Sequence, residues 1–223
     1  MGDEVVFSTI AQCFAPISED DWLALTSSSQ WSEFLDVSRR AMQDNHSFTH
    51  DPKAIETMKK QCPLQTFIAS GTVSTLFAPP SYAEKKRFAS RHFLGGVPKA
   101  AVPIESLYTP WAGASSNKNP LMTGTGFYQG DSALYMKHLV ESMGMKIPSQ
   151  FASYPDHLTV ELDLMSVLVR SNLTTEAHQF LTERFSWLTE YRIRLIDIGK
   201  EAHFYLGLID VLLGIRSQQL EVA

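Results

Sequence analysis

The chain is 223 residues long, 44% hydrophobic and 19% charged, with a formal net charge of −5. Such a chain has the length and apolar content for a folded globular protein with a sizeable core, which excludes a disordered segment. The acidic balance argues against a protein living on nucleic-acid phosphates and suits a basic partner.

The opening Gly2-Asp3-Glu4 is acidic and lacks the basic stretch that precedes the apolar core of a secretion signal. Val6, Phe7, Ile10 and Phe14 outline a first short helix, closed before Pro16. Cys13 lies in it and Cys62 far downstream, with no Cys-x-x-Cys spacing. The pair therefore reads as buried thiols of a reducing compartment rather than a disulfide or zinc site. Ser18 ahead of Glu19-Asp20-Asp21 is a helix start, with Trp22, Leu23 and Leu25 as its apolar side. Trp31, Phe34, Leu35 and Met42 mark the inner stripe of the next helix.

His46 and His50 stand four apart in a polar stretch with no third ligand, which is too little for a metal site. Asp51-Pro52 opens a helix over 53–61, and Pro63 starts an element whose apolar residues end at Leu76-Phe77, stopped by Pro79-Pro80. Residues 81–94 form a basic amphipathic helix, a pattern that ordinarily marks a solvated face. The stretch 95–130 is rich in Gly, Pro, Ser and Asn and is expected to be irregular. Its Gly124-Thr125-Gly126 fits neither the dinucleotide fingerprint nor the phosphate loop. A helix follows over 131–143, with Tyr135 and Leu139 on its core side and Gly144 closing it.

The densest pattern comes next. Ser153 with Asp156 three residues on resembles a capping box, and Pro155 fits a first helical turn. Residues 158–169 are apolar on nearly every side, so they predict a buried helix whose Glu161 and Asp163 need partners or water. His157 and Glu161 are four apart and face the same way. A cap with an ion pair satisfies this pattern, and so does a functional site. After Ser171-Asn172 the pattern restarts at Thr174, runs through Phe185, Trp187 and Tyr191, and ends in a helix lined by Phe204, Leu208, Leu212 and Ile215. The longest apolar run, 204–215, is interrupted by Asp210 and is too short to span a bilayer. A soluble cytoplasmic protein without membrane insertion is expected.

Pro155-Asp156-His157-Leu158, with Glu161-Leu162 and Met165, resembles the signature of the TorD/DmsD family, the redox-enzyme maturation chaperones of molybdoenzymes. Leu164 stands where that family has Phe, and Tyr154 where it tends to have Pro or an acid. Pro103, Glu105, Ser106 and Tyr108 are similar to a second family block, with Ile104 at its aromatic position, and Leu76-Phe77 to a third feature. The expected architecture is all-α: one compact multi-helix domain of about ten helices, its halves at about 1–147 and about 156–223 joined by a hinge at about 148–155.

The resemblance implies a chaperone that binds the twin-arginine signal peptide and the apo form of a molybdopterin oxidoreductase and assists cofactor insertion before export. Arginine pairs best with carboxylates in a bidentate fork. Asp156 and Glu161, then Glu105, are thus the candidates for the arginine side, with Pro155 and His157 in the same block. Tyr108, Leu76 and Phe77 are candidates for an apolar wall. Some members of that family bind guanine nucleotide, but no phosphate loop here supports it, and no cofactor is expected. An adaptor that binds a folded oxidoreductase subunit independently of a signal, as the nitrate-reductase assembly chaperones do, is the alternative. An enzyme using Asp156, His157 and Glu161 is disfavoured, because no nucleophile, metal or cofactor motif accompanies them. A monomer and a helix-swapped dimer both stay open.

Overall fold

The computed structural model describes residues 2–43, 78–95, 99–109 and 130–222, and every regular element among them is helical, as the periodicity predicts. The expected 53–61 helix, Leu76 and Phe77, His46 and His50, Cys62 and residues 110–129 of the irregular stretch lie outside the described residues.

Helix α1 (Gly2–Phe14) buries Val6, Phe7, Ile10 and Phe14. The expected start at Ser18 is present: its hydroxyl accepts the Asp21 N–H at 3.1 Å, and three acids fill the first turn of α2 (Glu19–Ser27). Trp22 and Leu25 point inward, whereas Leu23 is 54% exposed, because helical spacing puts it on the flank. Helix α3 (Ser29–Gln43) follows. Helix α4 (Tyr82–Phe88) opens on a reciprocal capping box between Ser81 and Glu84, then loosens into a π-helical turn, Ala89–Phe93.

In α5 (Asp131–Ser142) the buried residues are Ser132, Ala133, Met136 and Val140. Tyr135, expected on the core side, is 44% exposed. The 3–4 spacing runs through Met136 instead, and Tyr135 lies over the Arg184 guanidinium, 4.7 Å from its ring centroid.

The buried central helix is α6 (Leu158–Arg170). Its cap differs from the expected Ser153. A 3-10 turn, Ser149–Phe151, and the bends after it carry the chain past Ser153, so the N-cap is His157. Helix α7 (Thr174–Arg184) continues into a 3-10 turn, Phe185–Trp187, then α8 (Leu188–Ile198) and, after Gly199, α9 (His203–Val222). The principal packing of α6 is against α1, while α9 rests on α8, α3 and α7. Asp210, which interrupts the apolar run, takes the Arg192 Nε–H at 2.6 Å from α8. A stack of Phe14, Phe88, Phe93 and Tyr205, with ring centroids 4.4–5.5 Å apart, joins α1, α4 and α9. Among the described residues, no helix is long and apolar enough to cross a membrane.

Two glycines close helices at positive φ: Gly144 at 71° after α5 and Gly199 at 91°, with ψ −144°, after α8. No atom lies within 4 Å of a Cβ built at either, so substitution there is a pure backbone experiment. Gly144→Ala should cost about 1–2 kcal/mol, the left-handed penalty. Gly199→Ala should cost more, about 1–3 kcal/mol, because its ψ lies in territory that side chains hardly visit. Denaturant unfolding of the two variants checks the order.

Candidate functional site

Two segments distant in sequence meet at the entrance to α6. The Leu158 N–H donates to the Pro103 carbonyl at 2.9 Å and the Glu105 N–H to the Asp156 carbonyl at 3.0 Å, an antiparallel bridge between Ile104 and His157. The Asp156 carboxylate then accepts the Ser106 N–H at 2.8 Å, so it caps the 3-10 turn Glu105–Leu107. The two blocks singled out in the sequence are thereby locked to each other.

His157 uses its ring as a helix cap: Nδ1 accepts the Thr159 N–H at 3.1 Å. That bond requires a bare Nδ1, so the proton sits on Nε2. The ring stacks on Phe151, with centroids 4.7 Å apart, and burial pushes its pKa down to about 3.

Behind this clamp lies a sealed polar cluster. Glu105 is 2% exposed and Asp156 and Glu161 are 0% exposed. Glu105 pairs with Arg184, and the Trp187 Nε1–H donates to Glu161 at 3.3 Å. Burial and the neighbouring Glu105 charge raise the Glu161 pKa well above the usual carboxylate range. Glu161 therefore favours its protonated form beside Glu105, the ion-pair partner of Arg184, whose own pKa burial raises too. Tyr108 donates its hydroxyl to the Val102 carbonyl at 3.0 Å and stacks on Trp187 at 5.4 Å. The carboxylates named for an incoming arginine thus face inward, toward the chain's own Arg184.

On the other side of the clamp is an open cleft of about 400 Å³, lined by Phe14, Ile17, Phe93, Ile104, Phe151 and Tyr154 among others. Of the named candidates among the described residues, His157 alone is in its lining; Pro155 is buried, and Glu105, Tyr108, Asp156 and Glu161 lie elsewhere. Leu94, 77% exposed, forms one lip. Lys85 also lines the cleft, its ammonium donating to the Ala15 carbonyl at 2.7 Å just beyond α1. Sequence reasoning missed Arg184, Lys85 and Phe93 as site residues. None carries a motif, and only proximity in the fold connects them to one. Among the described residues, no group of three or more His, Cys, Asp or Glu is arranged to hold a metal.

A model of the nitrate reductase delta subunit family matches residues 82–196, just over half of the chain. The match contains both clamp segments and Arg184. No curated protein and no solved structure matches the chain.

The cluster and the cap respond to pH in opposite directions. The folded pKa of His157 lies below its ordinary 6.5, so the unfolded chain takes up the proton first and stability falls as pH drops from 6.5 toward about 3. The slope reaches about 1.4 kcal/mol per pH unit. Asn can cap a helix without titrating, so His157→Asn should flatten stability between pH 6.5 and 5 in urea titrations. The folded pKa of Glu161 lies above 4.5, so its proton is a growing liability as pH rises from there. Glu161→Gln, which keeps a donor, should gain stability relative to the unaltered protein between pH 5 and 8.

Proposed function

We propose, from the premise that this chain belongs to the nitrate reductase delta subunit family, a family of molybdoenzyme maturation chaperones, that it holds the apo form of a molybdopterin oxidoreductase through an apolar segment of that client. The observation that carries this is the open cleft beside the clamp, whose lining is largely aromatic and aliphatic. A cleft of this size suits a few apolar side chains, and apolar anchors give binding energy while the rim gives register. The hydrophobic stretch of a twin-arginine signal is the segment favoured by the Pro155-Asp156-His157 block, since Tyr154 and His157 both line the cleft. Such a chaperone works before export, in the cytoplasm, and needs no cofactor of its own.

The same geometry supports binding rather than catalysis. His157 Nδ1 is committed to a backbone N–H, Glu161 Oε2 to Trp187 and Asp156 Oδ2 to Ser106, and both acids are buried away from the cleft. No two of them converge on a point where a substrate atom could sit.

A second reading is favoured by a specific feature: Glu105 already pairs with Arg184, and Asp156 and Glu161 are buried with it, so none of the three acids named for the arginines of a signal faces outward. On that reading the segment in the cleft belongs to the mature oxidoreductase, and the protein is an adaptor indifferent to the signal. Titration calorimetry with the client precursor, with and without its signal, separates the two. Loss of binding on removing the signal supports the first reading, and unchanged binding the second. In either case Leu94→Asp, a change at an exposed lip, should weaken binding about tenfold or more by placing a charge against the client's apolar surface. Undiminished affinity of that variant would take the client out of the cleft.

A further inference from the structure

The cleft has a sign. Its lining among the described residues includes Lys85 and Lys86 and contains neither Asp nor Glu. His157, the remaining titratable base in it, is neutral through the cap it makes.

Lys85 is 4% exposed. An ammonium offers three N–H donors; here one goes to the Ala15 carbonyl, and the Trp22 ring lies 5.4 Å away. Both Lys85 and the Ala15 that receives it border the cleft, so the cation sits at its edge with donating capacity to spare. Burial pulls its pKa down. Lys86, next in the chain, is exposed on the same wall and makes no ion pair among the described residues. A buried cation is costly unless an anion meets it, and no salt bridge to Lys85 is present among the described residues.

We propose that the cleft selects a client peptide segment in which an acidic side chain borders the apolar run, its carboxylate reaching the Lys85 and Lys86 ammonium groups while its apolar side chains lie against Phe93, Ile104 and Tyr154. The inference rests on the client-segment reading above and adds the sign of the recognised charge. An arginine at the same place meets two cations and is repelled. The arginines of a twin-arginine signal, where that is the client segment, lie outside this cleft.

The test uses the intact protein and three fluorescent peptides that share one apolar run and differ at a flanking position: Asp, Asn or Arg. Anisotropy titrations should rank Asp tighter than Asn by about tenfold, the scale of a charge-assisted hydrogen bond in a sheltered site, with Arg weakest. The preference for Asp over Asn should shrink in Lys86→Gln, a surface change, and vanish when Lys85→Met is added in a variant of unchanged helicity. Equal binding of Asp and Asn, or tightest binding of Arg, overturns the charge assignment and leaves the client-segment reading standing. A preference that survives both substitutions overturns it as well. Failure of all three peptides to bind removes the client-segment reading and this inference with it. Laurate binding, with the three peptides indistinguishable, moves the site to a lipid carboxylate and overturns the peptide assignment.

Discussion

The arrangement depends on one carboxylate and two backbone hydrogen bonds. Asp156 holds the Ser106 N–H through its side chain and the Glu105 N–H through its carbonyl, while Leu158 reaches back to Pro103. These bonds join a turn to a helix start that lies about fifty residues downstream, and they are buried from water. Removing the Asp156 carboxylate would leave a buried N–H without an acceptor, the costly half of hydrogen-bond energetics. With the clamp made, Glu105 is delivered to Arg184 and Tyr108 to Trp187. The residue after Asp156 is then positioned to cap α6 with its ring, which leaves the ring's other edge in the wall of the cleft.

The sealed cluster limits its negative charge by keeping a proton on Glu161. Asp156, Glu105 and Glu161 gather around a single cation, Arg184, in a region nearly closed to solvent. Ionising Glu161 as well would place a further unpaired charge beside Glu105, which its raised pKa prevents. Replacing such a network by apolar side chains is often neutral or stabilising. The network fits a role in register: it specifies how the 101–109 segment sits on α6 and α7, and apolar packing alone would leave that less well determined.

The helical class, the starts at Ser18 and Thr174 and the burial of α6 were legible in the sequence, because periodicity and caps are local signals. The two blocks that meet at the clamp were also visible as motifs. Which way their side chains face was not. Glu161 faces inward because Trp187 and Glu105 wait for it, and no spacing rule encodes neighbours from 26 and 56 residues away. The cap moved from Ser153 to His157 for a similar reason. Asp156, three residues after the expected cap, is spent on Ser106, so the cap falls four residues further on, with imidazole as acceptor. Tyr135 was misplaced because its helix carries apolar residues on two sides, and only contact with Arg184 decides between them.

The cleft itself follows from an irregularity in α4. A π-helical turn inserts one extra residue, so side chains beyond it sit about 100° from where an α-helix would carry them. Phe93 is the last residue of that turn and stacks on Phe14 at 5.4 Å and edge-on to Tyr205 at 5.0 Å. Regular α-helix through Ala89–Phe93 would rotate Phe93 off both rings and bring another face of the helix to the core. The extra residue lets α4 bury Phe88 and Phe93 together while Ala89, Ser90 and Leu94 remain along the cleft wall. An apolar surface left open among the described residues is not explained by the stability of the monomer. Covering it would be favourable by roughly 25 cal/mol per Å² of apolar area removed from water. On the proposed reading, that area, edged by lysines rather than acids among the described residues, is the part of the molecule that a client chain would cover.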